Sequence, residues 1–388
     1  MVSQSVRLGV DFGTTRIVVA FVDRGNYPVV SFDGPDGSAR QWFPPVVAVK
    51  DLRRVYGWAA WAAQEEPGWT ILRSPKRTLS AASPQTPVRI ASQTVPMGEL
   101  LWELCLALRF SLLECSNLPS VEASSFDVML GMPPNASGNQ RFLLSQAFQQ
   151  AGFRVLGLLH EPSAASIEFA HRDPSSRQMK AKRSVLVYDL GGGAFDASLV
   201  EFDENEHRLI ASESIGVLGG DDFDEILAGL ALDSAGINPG ERATLSQAEV
   251  FHLHEECRSQ KESLGPHARQ IAIDLGVVRE GWPPVSLPVA DFYARCQPLV
   301  QETLHATEGL LAAQGYGPPA SSDAAMAGEQ NLEVLYVTGG GSELPIVARM
   351  LREAFGRRVR PCAYSRFATA IGLAIEADAQ APRAEEVR

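Results

Sequence analysis

LGVDFGTTRIVVAFVD, residues 8–23, shares its plan with LVYDLGGGAFDASLVE, residues 186–201. Each stretch reads as an apolar strand, an aspartate, a tight turn of glycine or threonine, and a second apolar strand. An internal repeat of this kind predicts two lobes built on one plan. Two unrelated β-hairpins remain the alternative, because hairpin turns often use Asp and Gly.

Asp11 and Asp189 stand at matching places in the two stretches, each between apolar strand halves. A buried carboxylate is costly unless a cationic group meets it. Perturbed acidic residues of this kind concentrate at functional sites. The sequence therefore predicts a site between the two lobes, with both aspartates in it.

Strand and helix patterns alternate between the two repeated stretches. Residues 126–132 and 153–159 read as strands, and residues 140–151 and 163–171 read as helices. This βα alternation predicts an α/β fold, with helices packed on a largely parallel sheet.

The second half of the chain continues in the same way. Ser246 and Glu249 form a capping-box pattern for a helix. We expect one face of that helix to carry Val250, Leu253, Cys257 and Leu264. A strand at 332–338 runs into three glycines and a helix from Pro345. Residues 315–329 read as a loose surface loop, and the polar tail from Asp378 is expected to fray.

Composition narrows the function classes. The 388 residues are 45% hydrophobic and 21% charged, which is typical of a folded protein of two or three domains. A net charge of −12 repels the phosphate backbone, so nucleic acid is not an expected partner. No uncharged run approaches the ~18 residues of a membrane span, so we expect no membrane contact. Five scattered cysteines without a C-x-x-C pair favour a reducing cytoplasm.

Three glycine-rich turns follow strands, at residues 13–15, 191–193 and 339–341. Glycine lets backbone N–H groups approach phosphates without interference from a Cβ atom, so a nucleotide is the expected ligand. The chain has no Gly-Lys dipeptide and hence no P-loop, and no G-x-G pair continues into a dinucleotide fingerprint. Both of the commonest nucleotide motifs are therefore excluded.

Six segments together resemble the signature stretches of the seventy-kilodalton heat-shock chaperones. They are DFGTT at 11–15, PKRTL at 75–79, HEPSAAS at 160–166, YDLGGGAFD at 188–196, IGVLGGDDFD at 215–224 and TGGGSELP at 338–345. The resemblance extends from about residue 6 to residue 377. It implies the two-lobed actin-like ATPase fold, in which duplicated ribonuclease-H-like domains surround a central nucleotide cleft.

The resemblance also implies domain limits. Lobe I would comprise residues 1–183, with 366–380 returning to it and an outer subdomain at about 40–115. Lobe II would comprise residues 184–365, with an outer subdomain at about 223–295. The chain ends at Arg388, so we expect no peptide-binding domain after the ATPase lobes.

The implied ligands are ATP or ADP with Mg²⁺, and the resemblance allows K⁺ beside Asp196. Matching by motif makes Lys76, Glu161, Asp189 and Asp11 the catalytic residues. Asp11, Asp189 and Asp196 would hold the metal, mostly through water. The phosphate-binding residues would be Gly13, Thr14, Thr15, Gly191, Gly192, Gly193, Gly219 and Gly220.

The adenosine side departs from the family. Lys261, Gly339, Gly340 and Gly341 match the family pattern, but Glu262 and Glu343 stand where two arginines would sandwich the base. Arg366 replaces a family aspartate, and we expect its guanidinium to stack on the base while pairing with Glu262 or Glu343. The alternative is an Arg366 on the surface, with the base held by the glycine backbone and Lys261.

These observations predict an ATP-binding and ATP-hydrolysing chaperone module. It would act as a slow, Mg²⁺-dependent, nucleotide-driven switch in the cytoplasm, without its own peptide-binding domain. An exchange factor, a co-chaperone or a separate client-binding protein would be its partners. An actin-like filament or scaffold, a binding-only pseudo-ATPase and a sugar kinase are the alternatives.

Overall fold

The computed structural model describes residues 5–76, 79, 82–118, 125–173, 183–203, 206–317 and 332–380. Most of the loop expected at 315–329, and the tail beyond Gln380, lie outside these residues.

The described chain contains both strands and helices, which alternate from α2 to β12. The strands are β1 (Val6–Phe12), β2 (Ile17–Phe21), β3 (Phe32–Asp33), β4 (Ala39–Arg40), β5 (Val46–Lys50), β6 (Arg53–Tyr56), β7 (Thr70–Arg73), β8 (Pro87–Ile90), β9 (Gln93–Pro96), β10 (Phe126–Met132), β11 (Phe153–His160), β12 (Arg183–Leu190), β13 (Phe195–Phe202), β14 (His207–Ile215), β15 (Gln270–Ile273), β16 (Val285–Pro288), β17 (Val334–Thr338) and β18 (Val359–Pro361). The helices are α1 (Trp58–Ala62), α2 (Met97–Glu114), α3 (Gly138–Gln150), α4 (Glu161–Arg172), α5 (Gly220–Ser234), α6 (Pro239–Arg242), α7 (Gln247–Glu262), α8 (Val289–Ala313), α9 (Pro345–Phe355) and α10 (Ala368–Ala379).

The two repeated stretches form equivalent hairpins in two separate sheets. The first sheet has four strands in the order β11-β10-β1-β2, and the second has five in the order β14-β13-β12-β17-β18. In each sheet the hairpin is antiparallel and its first strand pairs in parallel with a later one, β1 with β10 and β12 with β17. The internal repeat therefore reflects a repeated architecture, and the α/β fold class is confirmed.

Helices cover both sheets and also fill the space between them. The apolar sides of α2 and α3 pack on the first sheet, and those of α5, α8 and α9 pack on the second. Between the sheets, Phe169 of α4 packs against Val187 and Val200 of the second sheet. From α10, Ala370 and Ala374 pack against Val18 of the first sheet.

The last helix, α10, fits closely between β1 and α4. A Cβ atom added at Gly9 would overlap the backbone nitrogen of Ala374, and one added at Gly372 would overlap the carbonyl oxygen of Ala164. Glycine at both positions allows a backbone separation that no other residue would permit. The chain thus returns to the first sheet after completing the second.

The expectations for α7 are met in its capping box, but two residues of its predicted apolar face differ. The capping box of α7 is present, since Ser246 Oγ accepts from Glu249 N–H at 3.3 Å and Glu249 Oε2 accepts from Ser246 N–H at 2.7 Å. On the predicted apolar face, Leu253 and Cys257 are buried, but Val250 is 39% exposed. Phe251 is buried in its place, because it reaches across to another part of the chain. Leu264 lies beyond the end of the helix at Glu262.

The expectation of fraying from Asp378 is wrong for the described residues. Helix α10 continues to Ala379. Asp378 Oδ1 accepts a hydrogen bond from Arg7 at 3.3 Å, and its Oδ2 accepts one from Tyr27 at 3.2 Å. These contacts hold the end of α10 against β1 and against the segment that follows β2. Across the described ranges, no helix combines the length and apolar character needed to cross a membrane.

Candidate active site

A cavity of about 490 Å³ lies between the two hairpins, within the size range of small-ligand sites. Most of the residues predicted for the site line it. They are Asp11, Gly13, Thr14, Thr15, Lys76, Glu161, Asp189, Gly191, Gly192, Asp196, Gly220, Lys261, Gly339, Gly340, Gly341 and Arg366. Gly193 and Gly219 are not part of the cavity wall. Gly219 instead packs against the backbone of Gly192. A Cβ atom added at Gly219 would lie 2.5 Å from the Gly192 carbonyl oxygen.

The glycine turns come together at one end of the cavity. A Cβ atom at Gly192 would overlap the side chain of Thr15, so the turns of the two hairpins are in close approach. The start of α5 is tied to the second turn, because Gly220 N–H donates to Gly191 O at 2.9 Å and Asp221 N–H donates to Gly192 O at 2.7 Å. A helix N-terminus beside glycine turns favours anions. This end of the cavity suits phosphate groups.

Acidic residues surround one lysine next to these turns. Lys76 Nζ lies 2.7 Å from Glu161 Oε1, and each side chain is 14% exposed. Burial lowers the lysine pKa, but the charges of Glu161 and Asp11 outweigh burial and raise it. Lys76 is therefore held as a cation within an acidic cluster.

The aspartates of this cluster have raised pKa values. Burial, reinforced by repulsion from Glu161 and only partly offset by Lys76, raises the pKa of Asp11 to about 7. Burial and repulsion from Asp196 raise the pKa of Asp189 well above its ordinary value. Burial also raises the pKa of Asp196 to about 6, although the Ser214 hydroxyl donates a hydrogen bond that opposes the shift. Without a bound cation, the cluster therefore retains protons on these aspartates, because Lys76 alone cannot balance all of the carboxylates as charged groups.

This donor set fits a hydrated divalent cation. Among the residues that the structure describes, no group of three or more His, Cys, Asp or Glu residues is placed to ligate an ion directly. Carboxylates around a space lined by glycine turns match Mg²⁺, which keeps several of its waters and binds through one or two carboxylates and substrate phosphates. Asp11, Asp189 and Asp196 are the residues that would hold it.

The opposite end of the cavity carries a row of alternating charges. Arg16 Nη2 lies 2.8 Å from Glu262 Oε1, and Arg366 Nη1 lies 2.6 Å from Glu262 Oε2. Arg366 Nε also donates to Glu343 Oε2 at 2.8 Å, and Ser365 Oγ donates to Glu343 Oε1 at 2.5 Å. We call Arg16, Glu262, Arg366 and Glu343 the ionic row. Arg366 lines the cavity and pairs with both glutamates, so it does not lie on the outer surface.

Sequence reasoning missed several residues of the wall. Arg16 joins the ionic row, and its only signal was a charge directly after the first glycine turn. Arg258 lines the cavity and pairs with Asp221 and Asp224, each at 3.2 Å. Asp224 also lies 2.6 Å from Lys261 Nζ, which donates to the Gly220 carbonyl at 2.6 Å. Lys261 is thus fixed beside the start of α5.

Aromatic and charged contacts join the two sides of the cleft above the cavity. Trp61 meets Phe251 edge to face, with 5.3 Å between ring centroids, and Arg73 lies over Phe251 at 5.2 Å. Beside them, His252 Nε2 lies 2.9 Å from Glu65 Oε2. We call Trp61, Arg73, Phe251, Glu65 and His252 the roof of the cleft.

The comparisons with known proteins agree with this geometry. The family model described as Hsp70 protein matches residues 122–388. The chain belongs to the Hsp70 family. The matched Hsp70 region contains Glu161, the second hairpin and the last glycine turn, whereas Lys76 and the first hairpin precede it.

Curated Hsp70 relatives extend the similarity to the first hairpin. "Chaperone protein HscA homolog" of Methylibium petroleiphilum is 30% identical, over 96% of this chain and 58% of its own length. "Chaperone protein HscA" of Klebsiella pneumoniae is 29% identical, over 95% of this chain and 57% of its own length. The chain therefore spans less than three-fifths of the length of these Hsp70 relatives.

Proposed function

We propose that this chain is an ATP-binding and ATP-hydrolysing Hsp70-type chaperone module. The observation that carries the proposal is the Lys76–Glu161 ion pair, which lines the same cavity as Asp11, Asp189 and the glycine turns of both hairpins. Membership of the Hsp70 family and the similarity to chaperones named HscA support it.

Nucleotide phosphates would bind at the glycine turns. Backbone N–H groups of Gly13, Thr14, Thr15 and Gly192 would donate to the β- and γ-phosphates. Gly220 would lie beside them at the start of α5, although its N–H already donates to Gly191 O. Asp11, Asp189 and Asp196 would hold Mg²⁺ through its water shell. Mg²⁺ supplies charge neutralisation for the phosphates when it is bound. A potassium ion beside Asp196 would add to this neutralisation.

Hydrolysis would then depend on how the chain positions charge. Phosphoryl transfer requires mainly alignment and electrostatic stabilisation of the γ-phosphoryl group. The Lys76 ammonium would stabilise charge on that group, and Glu161 would fix the position of the ammonium. Asp11 and Asp189 would orient the attacking water.

The module would work as a switch between two lobes. We propose lobe I at residues 1–183 with 366–380 and lobe II at 184–365, with outer subdomains at about 40–115 and 223–295. Nucleotide binds residues of both lobes, so it would favour the closed arrangement that the roof also stabilises. A slow ATPase of this kind in the cytoplasm would work with an exchange factor, a co-chaperone or a client-binding protein.

Single-turnover hydrolysis of ATP by the full chain with Mg²⁺ tests the proposal. We expect the wild type to release phosphate slowly, and Glu161→Gln to slow the reaction by about two orders of magnitude, because Lys76 loses its fixed position. The exposed Glu302→Gln on α8 is the matched control, and its rate should equal that of the wild type. If the wild type binds ATP but releases no phosphate, the chain binds nucleotide without hydrolysing it, and the ATPase proposal is wrong.

A further inference from the structure

Glu262 presents a fixed carboxylate to the end of the cavity where a nucleotide base would lie. Its Oε1 is held by Arg16 at 2.8 Å and its Oε2 by Arg366 at 2.6 Å. Burial would raise the pKa of Glu262, but the charges of Arg16 and Arg366 outweigh burial and lower it. The carboxylate is ionised, and it can only accept hydrogen bonds.

The orientation of this carboxylate is set from three parts of the chain. Arg16 belongs to the turn between β1 and β2, Glu262 ends α7, and Arg366 precedes α10. Beyond Arg366, Glu343 accepts hydrogen bonds from both Arg366 and Ser365, which fixes the end of the ionic row. A rotation of Glu262 away from the cavity would leave two guanidinium groups without this carboxylate. The cavity wall therefore offers a fixed carboxylate acceptor, whereas all three guanidinium nitrogens of Arg366 already donate to Glu262 or Glu343.

Purine bases differ in how they match such a wall. Guanine carries adjacent N1–H and N2–H donors on one edge, which a carboxylate can accept together. Adenine places an N6 amino donor where guanine has O6, and the lone pair of its N1 would face the carboxylate. The ionised carboxylate of Glu262 thus complements guanine better than adenine.

We propose that the cleft binds guanine nucleotides at least as tightly as adenine nucleotides, with Glu262 as the residue that recognises the base. This inference rests on the proposed nucleotide hydrolysis, because it names a second nucleotide for the same cleft. GTP would be hydrolysed as ATP is, with the γ-phosphoryl group passing to water and GDP leaving.

Calorimetric titration of the full chain with Mg²⁺ and ADP, GDP or IDP tests the inference. In the wild type, we expect the Kd for GDP to equal or fall below the Kd for ADP. Hypoxanthine keeps N1–H and lacks the 2-amino group, so IDP should bind more weakly than GDP. Glu262→Gln should weaken GDP binding about tenfold and ADP binding less, since one charge-assisted hydrogen bond is lost. Glu302→Gln should leave all three values unchanged.

The outcomes separate this inference from the proposed function. A wild type that binds ADP more tightly than GDP would overturn the guanine inference and leave the ATPase proposal standing. An equal loss of ADP and GDP affinity in Glu262→Gln would likewise overturn only the guanine inference. A wild type that binds neither nucleotide would overturn both. The comparison within the wild type does not depend on whether any variant folds.

Discussion

Lys76 and Glu161 form an ion pair with 2.7 Å between Nζ and Oε1, although 85 residues separate them in sequence. The pair joins the segment after β7 to the first residue of α4, and it stands where the two glycine turns meet. This position, beside three further carboxylates, is the basis for the proposed role of Lys76 in phosphoryl transfer.

We expect Lys76→Ala to keep nucleotide binding and to slow single-turnover ATP hydrolysis by about two or more orders of magnitude, because the lost charge acts on the transition state. Rapid-quench measurement with radiolabelled ATP gives the rate. Lys50→Ala is the matched control, since Lys50 lies on β5 outside the cavity wall. An unchanged rate in Lys76→Ala would remove this lysine from the catalytic residues.

Asp11→Asn should weaken nucleotide binding in the presence of Mg²⁺ more than in its absence, because the carboxylate would act through the water shell of the cation. Titrations with ADP in Mg²⁺ and in a chelator provide the two affinities. Asp189→Asn should behave in the same way. Equal losses under both conditions would mean that these carboxylates serve only the fold.

Without metal and nucleotide, the contribution of Asp11 and Asp196 to the free energy of unfolding should fall as pH rises from about 4 to about 7. His207 contributes in the opposite direction, because burial lowers its pKa to about 4. The folded chain holds protons on Asp11, with its pKa near 7, and on Asp196, with its pKa near 6, whereas the unfolded chain releases them near the ordinary value of 3.8. Stability falls with pH wherever the folded state binds more protons. Urea denaturation at several pH values measures the slope, and Asp11→Asn should flatten it. An identical slope in that variant would contradict the assignment.

Gly372→Ala should lower the free energy of unfolding by about 1–3 kcal/mol, the usual cost of overpacking, since the added Cβ atom overlaps the Ala164 carbonyl. Gly229→Ala in α5 is the control, because a Cβ atom there meets nothing within 4 Å. The control should stabilise the protein by roughly 0.5–1 kcal/mol through helix propensity. Thermal melts of both variants in one buffer measure the difference. Two equal changes would show that α10 can shift to accept the extra atom.

Phe251→Leu should speed nucleotide release, because it removes the aromatic contact of the roof with Trp61. An aromatic pair contributes about 0.5–1.5 kcal/mol beyond its buried area, so we expect release to rise about two- to tenfold. Stopped-flow displacement of a fluorescent ADP analogue measures the rate. Phe110→Leu is the control, as Phe110 is 62% exposed on α2. If both variants release nucleotide at the wild-type rate, the roof does not retain it.

The sequence was sufficient for features that depend on local pattern. Both hairpins, the strands at 126–132 and 153–160 and the capping box of α7 follow from periodicity and turn chemistry over short stretches. Asp11 and Asp189 could be placed together because the internal repeat relates them. These signals require no knowledge of how the lobes face each other.

Contacts across the cleft could not be predicted in the same way. Arg16 and Glu262 are 246 residues apart, and neither belongs to a motif that implies the other. Val250 satisfied the helical period of α7, but Phe251 is buried because Trp61 lies opposite. Such pairs depend on the relative placement of two lobes. A single sequence carries little signal for that placement.

The path of the chain between the two sheets restricts how the cleft can open. The chain returns from the second sheet to the first between Pro361 of β18 and Ala368 of α10. This connection acts as a tether, so we expect the two sheets to rotate about it. Arg366 lies within the tether, near this pivot, whereas the Trp61–Phe251 contact belongs to outer parts of the chain. A small rotation that stretches the Arg366–Glu262 pair would then separate the two rings by a larger distance, as at the far end of a lever arm.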